Sequence, residues 1–272
     1  GRRRPIWPPG LSRESLMPLL AWLRGRALDL KIALIFFPRL PLRHRGQIGP
    51  SELARATWAN PLVGLVVGGI AGLAFWLAWW LGLGPGLAAL LSLAAALAAT
   101  GCFHEDGLAD VADGFGGGWT RERKLEIMRD GWLGTYGSAA LALVLLLRAA
   151  ALASLATPAA ALPALLAAHA GGRCTLPLFM ALLPNARTEG LSAYAGRPPW
   201  GSVWASLLLG LTALLLGLGF WDGWLALLVL GMAALCVARL CLKQIGGYTG
   251  DVLGALEQVG EVAILLVAVA RL

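Results

Sequence analysis

The stretch TGCFHEDGLADVADGFGGGWTRERKLEIMRDGWLGTYG, Thr100 to Gly137, holds seven of the 15 acidic residues of the chain, between Glu105 and Asp130. On a helix, Asp106, Asp110 and Asp113 are related by i, i+4 and i+7 and fall within about 60° of one another around the axis. Three carboxylates on one face repel one another unless a cation sits between them. Oxygen-only ligands suit Mg²⁺, or Mn²⁺ as the alternative, better than zinc, and Mg²⁺ keeps positions open for substrate phosphate oxygens. The spacing therefore predicts a metal site of Asp106, Asp110 and Asp113 acting on a phosphate-bearing substrate.

Around this face stand further candidates. Glu105 points about 100° away from it, as a residue behind the metal or on the substrate side. His104 is placed to bind phosphate, orient a carboxylate or cap the helix. Gly114, Gly116, Gly117 and Gly118 are expected to break the helix and let backbone N–H groups approach phosphate. Arg129 and Asp130 precede a glycine-rich return, GWLGTYG, where a fixed guanidinium would stabilise a transferring phosphoryl group.

A second acidic stretch is GGYTGDVLGALEQVGE, where Thr249 and Gly250 lead into a helix bearing Asp251, Glu257 and Glu261. Asp251 either completes the metal shell or acts as a base. Glu257 and Glu261 serve either in catalysis or in pairing with an arginine, since acids within a span are functional candidates. Arg173, one helical turn from His169, must find an anion, either Glu261 or a substrate phosphate. Arg148 is given only a structural or snorkelling role.

The elements that position these groups are membrane spans. The chain of 272 residues is 58% hydrophobic and 14% charged, with a mean hydropathy of +0.72, far from a soluble domain. Seven apolar stretches, near 61–83, 86–103, 137–157, 159–183, 202–220, 223–241 and 252–272, approach the length that crosses about 30 Å of hydrocarbon. The expected fold is all-α, a polytopic bundle of about seven transmembrane helices. Gly64, Gly68 and Gly72 form a small-residue stripe for close helix packing.

Eleven of the 22 Lys and Arg precede residue 61, and most others fall in the loops 102–136, 183–201 and 242–258. With a cytoplasmic N-terminus these loops share the cytoplasmic side, as the positive-inside rule requires. The net charge of +7 is thus explained by the membrane, and no nucleic-acid partner is expected. The location expected is the inner, cytoplasmic membrane, with the working surface facing the cytoplasm.

Residues 1–27 are expected to be an extension, poorly ordered or peripheral, and 28–272 a single membrane-embedded catalytic domain. Within it Leu28 to Leu40 reads as an interfacial or re-entrant helix stopped at Pro38 and Pro41, followed by a basic strip of Arg39, Arg43, His44 and Arg45 facing lipid headgroups or an anionic substrate. The four cysteines lack metal-type spacing and read as reduced packing residues. Lipid is an expected partner, and a homo-oligomer is compatible with the sequence.

The string His104-Glu105-Asp106-Gly107-Leu108-Ala109-Asp110, with Asp113-Gly114, then Glu126-Ile127-Met128-Arg129-Asp130 and Gly134-Thr135-Tyr136-Gly137, resembles the cobalamin (vitamin B12) synthase family, the adenosylcobinamide-GDP ribazoletransferases. The resemblance extends to FFPRLP, Arg173, the RTEGLSAYAG loop and GGYTGDVLGA. It implies that adenosylcobinamide-GDP is joined to α-ribazole or its 5'-phosphate, with GMP leaving. On this resemblance Asp106, Asp110 and Asp113 hold metal and Asp106 is catalytic. Arg129 and Arg173 contact phosphate, and Asp251 or Glu105 is the base. His104, Asp130, Thr249, Gly250, Glu257 and Glu261 belong to the substrate site.

Two other classes fit less well. Aspartate-rich prenyltransferases and CDP-alcohol phosphotransferases also use Mg²⁺-diphosphate, but two spaced Asp-rich motifs and the DGxxAR string are both missing. A cation transporter would place acids near mid-membrane, whereas most acids here gather at helix ends.

Overall fold

The computed structural model describes residues 13–35 and 46–271. The helices, in order, are α1 (Arg13–Ile35), α2 (Pro50–Ala56), α3 (Asn60–Trp80), α4 (Gly84–Thr100), α5 (Phe103–Gly117), α6 (Arg121–Ile127), α7 (Thr135–Ser154), α8 (Pro158–Cys174), α9 (Leu176–Leu182), α10 (Leu191–Ala195), α11 (Trp200–Leu218), α12 (Phe220–Ile245) and α13 (Gly250–Ala270). Prolines open several of them, where the missing N–H would have no helical partner. Thr120 and Thr249 cap α6 and α13 by accepting from Arg123 and Val252 N–H.

Six helical stretches are long and apolar enough to cross a membrane: Pro50–Trp80, Thr135–Ser154, Pro158–Leu182, Trp200–Leu218, Phe220–Ile245 and Gly250–Ala270. The seventh crossing expected near 86–103 falls on α4, 17 residues and so about 26 Å long, which reaches spanning length and hydropathy only together with α5. It is followed by a 90° bend into α5. Gly101 and Cys102 make this corner with φ of 64° and 61°. The bend turns α5, which carries the Asp106 face, across the direction of α4. The chain is an all-α polytopic membrane protein.

α8 is the central helix: 78% of its apolar stretch, counted with α9, is buried, against 17% for α12 at the perimeter. It packs on α3, α11 and α13. The expected glycine stripe makes the α3 contact. A Cβ on Gly64 would fall 2.2 Å from the His169 carbonyl oxygen and one on Gly68 2.8 Å from that of Leu165, so the two backbones touch. The perimeter helices present apolar side chains such as Leu208, Leu216, Leu228 and Leu235 outward, the surface hydrocarbon requires.

The expected boundary at residue 28 falls inside α1, which runs unbroken from Arg13 to Ile35. Its second half is tied down by buried Asp29, which accepts from Arg55 Nε at 2.9 Å and Trp58 Nε1 at 3.1 Å and pairs with Arg26 at 3.1 Å. Residues 1–12, the stops at Pro38 and Pro41 and the basic strip Arg39–Arg45 lie outside the described residues. Cys174 and Cys241 are buried packing residues, as expected, whereas Cys102 and Cys236 are exposed.

Candidate active site

The site is built where α5 crosses the start of α13. The crossing is close because both helices carry glycine there. A Cβ on Gly107 would lie 2.8 Å from the Asp251 carbonyl oxygen, and one on Gly254 3.1 Å from that of His104. Two acids 145 positions apart in sequence, Asp106 and Asp251, are thereby brought to the wall of one cavity of about 370 Å³. His104, Arg173, Arg187, Glu189, Thr249 and Gly250 also line it, and the remaining wall is largely apolar, from α1, α2, α9 and α10.

Asp110 sits one turn behind Asp106 and is half-buried. Burial, with the charges of Asp106 and Asp251 adding to it, pushes its carboxyl up to about 7. Mutual repulsion of this kind is what a divalent cation relieves, and the donors are all hard oxygens. Asp106 and Asp251 line the cavity and Asp110 stands behind them, near enough for their charges to act on one another.

Asp113, expected as the third ligand of the face, is turned elsewhere. Its Oδ2 accepts from Gly134 N–H at 2.7 Å and its Oδ1 from Gly137 N–H at 2.9 Å. It is buried and caps the N-terminus of α7, a place where a carboxylate meets both unpaired N–H groups and the positive end of the helix dipole. Of the glycines expected to break α5, Gly114, Gly116 and Gly117 lie within the helix, and the break falls at the last of the run, where Gly118 caps it in an extended conformation. Gly114 lies against Met128 and Gly116 against the Tyr136 ring, so their role is packing of α6 and α7.

Behind the cavity wall lies a buried ionic network joining α5, α7, α8 and α13. Glu105 Oε1 accepts from Arg148 Nη1 and Gln258 Nε2, each at 3.0 Å. Arg148 Nη2 is 2.7 Å from Glu261. Arg173 Nη1 is 2.5 Å from Glu257 and 2.8 Å from Glu261 and donates to the His169 carbonyl oxygen. His169 Nδ1 contacts Glu261 as well, and His104 Nδ1 lies 3.4 Å from Glu257. Arg148 is 3% exposed, so the snorkelling expected of it does not occur: it is the central cation of the network.

This arrangement sorts the candidates. Glu257 and Glu261 pair with arginines, and Arg173 finds Glu261, one of the two anions expected for it. Glu105, expected as a base, is committed to Arg148 and Gln258 and does not line the cavity. Arg129 and Asp130 stand exposed beyond α6, outside the cavity wall, and Asp130 accepts from Trp132 N–H at 2.9 Å. Thr249 and Gly250 do line the cavity, and Thr249 Oγ1 donates to Asp251 Oδ2 at 3.1 Å.

His169, Glu257 and Glu261 bring ligand atoms within 4.8 Å of one another. A cation there would have to displace Arg148 and Arg173, so the trio reads as an ion-pair core. Arg187 and Glu189 carried no role in the sequence reading, although their RTEGLSAYAG loop was part of the resemblance. Their polar character between two spans was the only signal.

A helical bundle of membrane-crossing length, with aspartates and arginines gathered in a cavity at one end, defines a polytopic membrane enzyme. Residues 29–269 match the family described as cobalamin-5-phosphate synthase (CobS), and the chain belongs to that family. It is 50% identical over 255 residues to a protein of Bradyrhizobium diazoefficiens named adenosylcobinamide-GDP ribazoletransferase, covering 94% of this chain and 98% of that one. Proteins of the same name from Mesorhizobium japonicum and Ralstonia nicotianae are 51% and 40% identical over 245 and 256 residues, covering 88% and 93% of this chain and 92% and 98% of theirs. No solved structure matches the chain.

Proposed function

We propose that the chain transfers the cobinamide-bearing phosphoryl group of adenosylcobinamide-GDP to α-ribazole or its 5'-phosphate, releasing GMP. The observation that carries this reading is the α5–α13 crossing, which sets Asp106 beside Asp251 in a cavity that also holds guanidinium groups, in a chain of this family. A free ribose hydroxyl oxygen of the acceptor forms a bond to the phosphorus attached to cobinamide, and a 5'-phosphate, where present, is carried through unchanged. The anhydride bond breaks and its bridging oxygen leaves on GMP. With either acceptor the attacking hydroxyl gives up one proton to solvent.

Asp106, Asp110 and Asp251 would hold Mg²⁺, or Mn²⁺ in its place. When bound, such an ion neutralises diphosphate charge and aligns the leaving oxygens. The residues themselves bind and orient: positioning and electrostatics supply most of phosphoryl-transfer catalysis. The apolar perimeter faces lipid of the inner membrane. The cavity end faces the cytoplasm, in line with the basic loops 102–136, 183–201 and 242–258 that supply its walls. Purified protein with Mg²⁺, adenosylcobinamide-GDP and α-ribazole is expected to release GMP and form the joined nucleotide loop. GMP at the level of a protein-free control would sink the reading.

The Asp110 carboxyl makes the metal reading testable by pH. Raised from 3.8 to about 7, it favours the protonated folded state, so without a cation its contribution to stability is full below about pH 4 and is lost as pH rises through 7. A bound cation must expel that proton. The stabilisation by MgCl₂, read from melting temperature, is therefore expected to need about fivefold less Mg²⁺ at pH 7 than at pH 6 and to level off above pH 8. A Mg²⁺ response unchanged from pH 6 to 8 would remove Asp110 from the ligand set.

A further inference from the structure

We infer that Arg187 binds the diphosphate of the substrate, exchanging its contact with Asp251 for a contact with phosphate when Asp251 is engaged by a cation. The inference rests on the reaction proposed above and adds a residue to it.

The backbone holds Arg187 in place before any ligand arrives. Ala186 N–H donates to the Tyr248 carbonyl oxygen at 2.8 Å, and Tyr248 N–H donates to that of Pro184 at 2.9 Å. These two bonds bridge the loop to the turn just before Asp251. Arg121 clamps both sides, donating from Nη2 to the Ala186 carbonyl oxygen at 2.7 Å and from Nε to that of Ile245 at 2.8 Å. Such a frame sets the guanidinium without the entropy cost of ordering a free loop.

The guanidinium is only partly used. Nη2 is fixed by the Leu125 carbonyl oxygen at 2.8 Å. Nη1 reaches Asp251 Oδ2 at 3.4 Å, longer than the roughly 2.7–2.9 Å of a well-made charge-assisted bond. Nε is buried and makes no hydrogen bond, although buried donors are nearly always paired. One Arg187 donor is therefore loosely held and another is unmet, in the wall of the cavity.

Charge sets which cation is available. Of the two arginines that line the cavity among the described residues, Arg173 is pinned from behind by Glu257 and Glu261. Arg187 has Asp251 as its carboxylate partner, and Asp251 belongs to the set that would hold the metal ion. Once a cation draws on Asp251, Arg187 loses its counter-charge in a half-buried place and requires another anion. A diphosphate bound to that cation brings one within reach, and arginine's planar fork suits phosphate oxygens.

The test uses the full chain in detergent, with binding of GDP in MgCl₂ measured by calorimetry alongside turnover. Arg187→Gln is expected to weaken Mg²⁺-GDP binding by about 30- to 100-fold, the factor for a charge-assisted hydrogen bond. It should raise KM for adenosylcobinamide-GDP and leave KM for α-ribazole unchanged. Arg187→Lys, which keeps the charge and loses the fork, should recover part of the GDP affinity. Unchanged GDP binding in Arg187→Gln overturns the inference. So does an equal loss for both substrates that Arg187→Lys fails to relieve, since that marks a structural clamp. Wild-type protein that binds Mg²⁺-GDP in an Arg187-dependent way yet releases no GMP would overturn the proposed reaction and leave this inference standing.

Discussion

Asp106→Asn is expected to lower GMP release by about three orders of magnitude or more while the protein still inserts and melts close to the wild type. The change keeps shape and removes one negative charge from an exposed side chain at the cavity mouth, so the fold has little to lose. On the proposed reading the reaction has much to lose, because an ion balancing the diphosphate would depend on that charge. Asp113→Asn should behave in the opposite way. Its carboxylate holds two backbone N–H groups of the α7 N-terminus, and an amide can accept only through one oxygen. A loss of about 1–2 kcal/mol of stability follows, with the Mg²⁺ dependence of the remaining activity unchanged. Measuring melting temperature and Mg²⁺-dependent turnover on both variants separates the roles. An Asp113→Asn enzyme as dead as Asp106→Asn, yet equally stable, would restore Asp113 to the metal.

The second large effect is structural. Arg148→Met removes the cation that faces Glu105 at 3.0 Å, Gln258 at 2.9 Å and Glu261 at 2.7 Å. Replacing a whole buried ion cluster by apolar groups is often harmless, but removing one partner leaves charge unpaired and costs about 3–5 kcal/mol. The variant is therefore expected to lose on the order of 10 °C in melting temperature in detergent. Adding Glu105→Gln to it should recover part of that loss, because the second change removes one of the stranded charges. A single variant melting within about 2 °C of the wild type would show that the network contributes little to the bundle.

Much of this was legible because it is local. The i, i+4 spacing of Asp106 and Asp110 depends only on helix geometry, and the stripe Gly64, Gly68 and Gly72 depends only on its own periodicity. The pairing of Arg173 with Glu261 was open to sequence reading for a different reason: a buried guanidinium must find an anion, and few lay within spans. What stayed hidden depends on backbone groups or on several helices at once. The partners of Asp113 are N–H groups of Gly134 and Gly137, which no side-chain pattern announces. Arg148 gains its role only when α5, α7 and α13 meet. Gly114 to Gly117 have the composition of a break, yet α5 continues through them because α6 and α7 pack closely over small residues. Arg129 drew attention through its sequence neighbours, whereas Arg187 owes its place to a β-bridge across 63 positions, between Asn185 and Tyr248.

The corner at Gly101 and Cys102 decides how a bulky molecule reaches the aspartates. By turning the chain through 90°, it lays the helix with the Asp106 face across α4 instead of burying it among upright neighbours. The face is approachable through the cavity that α1, α2, α9 and α10 wall. A corrinoid carrying a nucleotide need not thread between spans, since only its phosphates have to touch down. The spans are then a workbench: Arg148, Gln258 and Glu261 back the ledge with a dry, tightly paired core, and the cavity stays open on the other side.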